Sequence, residues 1–422
     1  MRDISVPFGK GSVLLRIPEN RLIGVTSPRP AKALTESEFR SVIDRPVGTT
    51  GLAQMVRSGG KVAIAVDDYT RPTPTAQILR IVLSELKEGG VSFEDIVVVI
   101  GGGLHVPTAE HEKPVLVGEE IVGLVEVVSH ICDDNSSLVD LGSSSRGTPI
   151  MINRRIVEAD FRICIGLIEP HQKAGFSGGA KSIVPGVAGR DTINRNHSMR
   201  LPIREAIGKI EGNPVRADME EIARKVGVDF IVNAVLNDRK QVVDLVAGDL
   251  IDAHRKGVDS ARRMMEVEIP RAADILILSP GGHPRDINLW QTEGKGLVRA
   301  WTATKKGSEI IVVAECPRGI GHPGLEDWLS GASLHQIHER FRTEGYTLIG
   351  EKADRLADLS EYAKLTFYSP GLDPEKFSRL PVCFTNKPQE NLDLALRRAS
   401  EDSSVLVVPN ATAVLTKTRS SA

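Results

Sequence analysis

Aromatic residues are scarce: 3 Trp, 4 Tyr and 10 Phe in 422 positions, or 4% of the chain. The core must therefore be built mainly from Val, Ile, Leu and Ala. Cysteine is scarce too. Cys132, Cys164, Cys316 and Cys383 are scattered, with no Cys-x-x-Cys pair, which argues against a disulfide scaffold and a Cys-rich zinc site. No charge of one sign dominates. Lys plus Arg number 53 against 55 Asp plus Glu, a net charge of −2, so nothing electrostatic points to nucleic acid or an anionic membrane as partner. No apolar run approaches the ~18 residues of a membrane span. The first residues, Met1 to Leu22, alternate apolar and polar side chains with charges throughout, which predicts a strand or hairpin, not a signal peptide. The expected compartment is the cytoplasm. What is present is ordinary for a folded protein: 41% hydrophobic and 26% charged residues, too apolar for disorder. At roughly 150 residues per domain, the length predicts two or three domains.

Short β-branched runs recur along the chain. They predict strands at Val62–Val66, Ile96–Ile100, Arg162–Ile168, Asp229–Leu236, Asp274–Leu278, Glu309–Val313 and Val405–Val408. Helical spacing lies between several of them. Gln77–Glu88 puts Leu79, Val82, Leu83 and Leu86 on one face, and Met219–Val226 and Asp252–Met265 read similarly. Buried strands alternating with helices predict an α/β protein with largely parallel sheets. A boundary falls near Ile269–Ala273. The expected architecture is two α/β domains, residues 1–270 holding the chemistry and a smaller 271–422 closing a cleft between them.

In open α/β sheets, ligands bind at the carboxyl ends of strands, and four polar, glycine-rich loops follow predicted strands. Asp67 to Pro74 is either an Asp-initiated turn with Arg71 in a surface ion pair, or a site where Arg71, oriented by Asp68, grips a carboxylate or phosphate. Gly101 to Thr108 brings three glycines and then His105 to the mouth of the sheet, structural or catalytic. Pro280 to Lys295 reads as a strand-to-helix turn capped by Asp286 or Asn288, or as polar contacts from Gln291 and Lys295.

The richest loop is Glu169 to Gly189. Gly175 to Ser182 nearly spells the phosphate-binding G-x-x-x-x-G-K-[ST], but Ala180 replaces the second glycine and Pro185 would interrupt the following helix. A P-loop-like phosphotransferase is therefore the alternative reading. An anion cradle survives in either case, from backbone N–H groups beside Lys181. His197 follows 16 positions later, either structural or a metal ligand. No HExxH, His-x-His or Cys pair accompanies it, so an all-protein zinc site is poorly supported.

Together these loops resemble the nickel-dependent lactate racemase family. The matching elements are Asp68-Tyr69-Thr70-Arg71-Pro72, Gly102-Gly103-Leu104-His105, the stretch Pro170 to Lys181 (Pro-His-x-x-Ala-Gly-Phe-Ser-Gly-Gly-x-Lys), and His197. Gly212-Asn213-Pro214 and Ala247-Gly248-Asp249 extend the likeness. The resemblance implies a racemase or epimerase acting at C2 of a 2-hydroxy acid. It implies a nickel-pincer nucleotide derived from a pyridinium mononucleotide and tethered to Lys181. Nickel would be held by a pyridinium carbon, two cofactor sulfurs and His197. Ser177, Gly178, Gly179, Ser182, Pro185 and Gly186 match the cofactor cradle. His105 and His171 match the catalytic pair, one base for each enantiomer. Asp68, Arg71, Gln291 and Lys295 match the substrate contacts. The implied partners are a small 2-hydroxy acid and cofactor-maturation proteins. Nothing in the sequence fixes an oligomeric state.

Three departures touch the substrate side. Gln172 and Lys173 follow His171, where the family tends to carry aromatics. Gln291 and Lys295 are one residue further apart than the family's Gln-x-x-Lys. The family's late tryptophan has no match near 350–358. These departures favour a larger or more polar substrate than lactate, such as a dicarboxylate or a sugar acid. A non-catalytic relative is a further alternative, disfavoured because His105, His171, Lys181 and His197 are all present.

Overall fold

The computed structural model describes residues 1–419, the side chain of Arg204 excepted. The chain forms two compact units. One spans Pro30–Leu201 and Ala206–Met264; the other comprises Met1–Arg29, Pro202–Glu205 and Met265–Ala422, its last three residues lying outside the description. All seven predicted strands form, as Val62–Asp67, Ile96–Gly101, Phe161–Leu167, Phe230–Leu236, Ala273–Leu278, Thr304–Val313 and Val405–Val408. The predicted helices form as Thr75–Glu88, Pro214–Val226 and Asp252–Met265. The architecture is α/β with two large, mostly parallel sheets. No helix among the described residues is long and apolar enough to cross a membrane.

The sheet of the first unit runs Val242–Gly248, Phe230–Leu236, Phe161–Leu167, Val62–Asp67, Ile96–Gly101, Glu126–Ser129. Only the Phe230–Leu236 to Val242–Gly248 pairing is antiparallel. Strand Val62–Asp67 is followed on one side by Ile96–Gly101 and Glu126–Ser129. The chain then returns to its other side with Phe161–Leu167. Strand order therefore reverses between Val62–Asp67 and Phe161–Leu167, where successive loops leave in opposite directions and open a crevice. Helix Thr75–Glu88 buries Ile78, Leu79, Ile81, Val82, Leu83 and Leu86 against the strand residues Ile64, Val66, Ile100 and Ile163. Each such side chain contributes ~1.5–3 kcal/mol of burial, which keeps the strand ends rigid.

The second unit has six parallel strands, ordered Val382–Phe384, Lys364–Tyr368, Thr304–Val313, Ala273–Leu278, Val405–Val408, Leu22–Val25. The first 29 residues were expected with residues 30–270, but they group here. The predicted N-terminal hairpin forms as Arg2–Phe8 paired with Gly11–Ile17. Its Val6, Leu15 and Ile17 pack with Ile277, Ile311 and Val407.

Asn288 caps the turn that follows Ala273–Leu278, accepting from the Gln291 N–H at 2.9 Å. A π-helical turn, Thr292–Gly296, comes next. A π turn holds one more residue than an α turn, and Lys295 lies within this one. Buried charge pins it. Glu293, 3% exposed, takes both arms of the Arg355 guanidinium and, at 2.9 Å, the Lys352 ammonium. Lys352 also donates to the Trp290 carbonyl at 3.1 Å. Burial would raise the Glu293 carboxyl, but Arg355 and Lys352 outweigh it and hold it down to about 2. Replacing Glu293 by Gln leaves two buried cations short of an anion. The expected cost is about 3–5 kcal/mol, read as a lower urea midpoint; an unchanged midpoint would contradict this description.

Candidate functional site

A pocket opens at the strand-order reversal of the first unit, lined among others by Asp68, Arg71, His105, Ser177, Gly178, Lys181, Ser182, Pro185 and Gly186. Residues from three separate loops, each following a different strand, are thus brought together. Gly179 is buried and does not line the pocket. Gln291 and Lys295 belong to the second unit, where Gln291 is buried.

Arg71 is not a surface arginine. Its side chain is 13% exposed, donates to Glu169 Oε1 at 2.8 Å and lies 3.6 Å from Asp67 Oδ1. Burial works against the guanidinium charge, but Asp67, Glu169 and Asp68 outweigh it and raise its pKa. Asp68 was expected to orient Arg71, and the geometry differs: its Oδ2 meets His105 Nδ1 at 2.7 Å. Its Oδ1 accepts from the Thr70 hydroxyl at 2.7 Å and the Thr70 N–H at 3.3 Å. A carboxylate at Nδ1 keeps the proton on that nitrogen and leaves Nε2 as an acceptor.

His171 is wired the other way. Its Nδ1 accepts from the backbone N–H groups of Lys173 and Ala174, both at 3.2 Å. The neutral ring therefore carries its proton on Nε2. Burial, with Lys181, Arg71, His197 and Arg216 nearby, pushes its pKa well below the usual range. His171 and His197 are not among the lining residues, yet both lie within electrostatic reach of Lys181.

His197 sits on helix Arg190–Ser198 and is 3% exposed. Asn196 Nδ2 donates to Asp218 at 2.8 Å, so its Oδ1 faces His197 Nδ1, 3.1 Å away. Nδ1 is thereby the donor and Nε2 keeps its lone pair. Burial, then Lys173 and Lys181, hold the ring neutral. A neutral imidazole with a fixed tautomer is the form that binds a metal. Among the described residues, the only group of three metal-binding side chains within reach of one another is His338, Asp358 and Glu361, elsewhere on the chain.

The cradle beside Lys181 is a glycine turn. Gly178 and Gly179 have φ of 76° and 58°, and a Cβ on either would meet Asn233 Oδ1 or the His254 ring at 2.8–2.9 Å. Gly179–Ser182 is one 3-10 turn, and the next helix begins only at Arg190. The long helix that follows a P-loop is absent among these described residues. Asn233 accepts the Gly179 N–H at 2.8 Å, and His254 Nε2 donates to the Ser177 carbonyl at 2.9 Å. Asn233, His254, Asn196 and Asp218 belong to no sequence motif, and Asp67 and Glu169 stand at the first positions of their loops.

Comparisons with known proteins place the whole chain in one family. The lactate racemase N-terminal domain matches residues 8–208, and the lactate racemase C-terminal domain matches residues 269–416. The chain is 30% identical over 428 residues to the lactate racemase of Lactiplantibacillus plantarum, covering 99% of this chain and all of the relative. It is 29% identical over 442 residues to that of Thermoanaerobacterium thermosaccharolyticum, again with 99% and 100% coverage. The solved lactate racemase apoprotein from the latter organism superposes with a TM-score of 0.89 at 28% identity, over 99% of this chain and 100% of that one. A Thermotoga maritima protein shares the fold, with a TM-score of 0.71 at 18% identity over 92% of this chain and 100% of that one. Fold and relatives define an isomerase of the racemase class. The chain belongs to the lactate racemase family.

The Asp68–His105 pair has a measurable signature. Burial would raise the Asp68 carboxyl, but His105, Thr70 and Arg71 hold it at about 2, against an ordinary 3.8. The folded pKa is depressed, so the stabilisation is complete above pH ~4 and is lost as pH falls toward 2. Its size is about 2 kcal/mol. Asp68→Asn should lower stability at pH 6 and converge on the parent at the acid end. A pH-independent difference would contradict the pairing.

Proposed function

We propose that this protein inverts C2 of a 2-hydroxy acid by moving a hydride off that carbon and back to its other face, using a nickel-pincer nucleotide joined to Lys181. The observation that carries the reading is one pocket lined by a lysine, a carboxylate-paired histidine and a buried arginine. The residues fit the group. Lys181 offers an amine beside the glycine turn at Gly178 and Gly179, suited to a phosphate. His197 offers a neutral Nε2 with its Nδ1 fixed by Asn196, as a metal-binding imidazole requires. When bound, the group supplies an electrophilic carbon for the hydride.

The chain's own residues do the rest. Arg71, held by Glu169 and Asp67, binds the substrate carboxylate through its planar fork. His105, oriented by Asp68, takes the hydroxyl proton at Nε2 as the hydride departs. The product of that step is a 2-keto acid. His171 serves the hydroxyl of the opposite enantiomer. In the resting tautomers His105 Nε2 is the base, and His171 meets that oxygen as an Nε2–H donor.

The relatives are named lactate racemases; for this chain a larger polar hydroxy acid is proposed. Support comes from the segment after His171. Lys173 is a buried cation, 2% exposed, within electrostatic reach of His197. Gln172 is 9% exposed, and its Oε1 is buried with no hydrogen-bond partner. Such an acceptor is costly unless a donor reaches it; Gln172 and Lys173 adjoin His171 but do not line the pocket.

Two measurements test this reading. After production with cofactor-maturation proteins, the intact mass should rise at Lys181 with stoichiometric nickel, and Lys181→Ala should abolish both. An unmodified Lys181 without nickel, under conditions that load a lactate racemase, would overturn the cofactor assignment. Turnover across 2-hydroxy acids should favour dicarboxylates or aldonates; a clear preference for lactate would overturn the substrate assignment.

A further inference from the structure

We propose that Asn213 and Arg216 are positioning residues that set the tautomer of His171 and the course of the segment leading to Lys181. The proposal rests on the reading of that segment as the reactive one.

Helix Pro214–Val226 begins at Gly212-Asn213-Pro214. Asn213 is its N-cap, with Oδ1 accepting the Arg216 N–H at 3.2 Å. The other half of the Asn213 amide faces away from the helix. Its Nδ2 donates to the Lys173 carbonyl at 2.6 Å and the Lys209 carbonyl at 3.0 Å. Arg216, 1% exposed, donates to the carbonyls of Ala174 and Gly178, both at 3.2 Å, and of Phe176. The acceptors of residues 173, 174, 176 and 178 are thus all taken by the start of one helix.

A trans peptide is planar, and its C=O and N–H point in opposite directions. Fixing a carbonyl therefore aims the N–H of the next residue. The Lys173 carbonyl lies on Asn213, and the N–H of Ala174, across the same peptide, donates to His171 Nδ1. The Phe176 carbonyl lies on Arg216, and the Ser177 N–H donates to the Glu169 carbonyl at 2.9 Å. The Gly178 carbonyl lies on Arg216, and the Gly179 N–H donates to Asn233 Oδ1 at 2.8 Å. Three peptide planes are set this way, and the first holds His171 Nδ1 as an acceptor. A planar guanidinium with five donors can serve three carbonyls from one buried point, which a lysine ammonium does less well. Close packing leaves the segment little freedom: a Cβ at Gly175, where φ is 73°, would lie 2.0 Å from the Lys209 carbonyl oxygen.

The test uses the full-length protein and two variants. Asn213→Asp keeps the N-cap acceptor but cannot donate to Lys173. Arg216→Lys keeps the charge but loses the fork. The ring nitrogens of His171 are followed by 15N NMR on the apoprotein, beside kcat and KM for racemisation by the loaded enzyme. The parent should show a single Nε2–H tautomer. Asn213→Asp should give a mixture, with kcat ~10–100-fold lower and KM within about threefold. Arg216→Lys should do the same; if it does not fold, Asn213→Asp decides. Unchanged His171 signals in a folded Asn213→Asp variant would overturn the proposal. The underlying reading is tested separately: His171→Asn racemising at the parental rate would remove His171 from the chemistry, while the NMR comparison would still decide the positioning.

Discussion

Asp67 clasps the two strands on either side of the strand-order reversal, and the site depends on that clasp. Its Oδ2 accepts the Leu167 N–H at 2.9 Å and the Thr73 hydroxyl at 2.8 Å, while Oδ1 faces Arg71. The end of strand Val62–Asp67 is thereby tied to the end of Phe161–Leu167 and to the loop carrying Arg71. Burial raises the Asp67 carboxyl, with Arg71, Thr73 and Lys181 acting against that rise. A carboxylate buried at a crevice floor is costly alone and tolerable when paired and hydrogen-bonded. Here its partners are the groups that must be held in place.

From that clasp the two histidines diverge in environment. His105 meets a carboxylate, and His171 meets backbone amides and a surround of cations. A racemase must treat two nearly mirror-image substrates alike, yet an L-protein cannot build mirror-image surroundings. This site gives its two histidines different supports and opposite tautomers. The cations around His171 disfavour a further positive charge there and favour an anionic occupant.

Much of the fold was legible because its central strands are buried on both faces and read as unbroken β-branched runs. The helix Thr75–Glu88 was legible from its spacing. Strand Lys364–Tyr368 was not: it follows helix Leu348–Tyr362 with one intervening residue and no glycine or proline to mark the change. The grouping of Leu22–Val25 with Val405–Val408 was also hidden, since local pattern carries no record of which distant strand will be its neighbour. At the site, the loops were readable from strand ends and glycines, but the pairings were not. Asp68 and His105 are 37 positions apart, and Arg71 and Glu169 are 98 apart. Adjacency in sequence suggested Asp68 for Arg71, and the fold chose otherwise. Arg216 and His254 gave no signal, because a buried helix residue that serves distant carbonyls looks like any polar position on an amphipathic helix.

In the proposed reaction the hydrogen at C2 leaves and returns as hydride without passing through water. The most direct test is racemisation of a single enantiomer of a turned-over 2-hydroxy acid, labelled with deuterium at C2, in ordinary water. The account predicts that the inverted product keeps its deuterium. Loss of the label to solvent in step with inversion would mean that C2 is deprotonated and reprotonated, and would contradict the account.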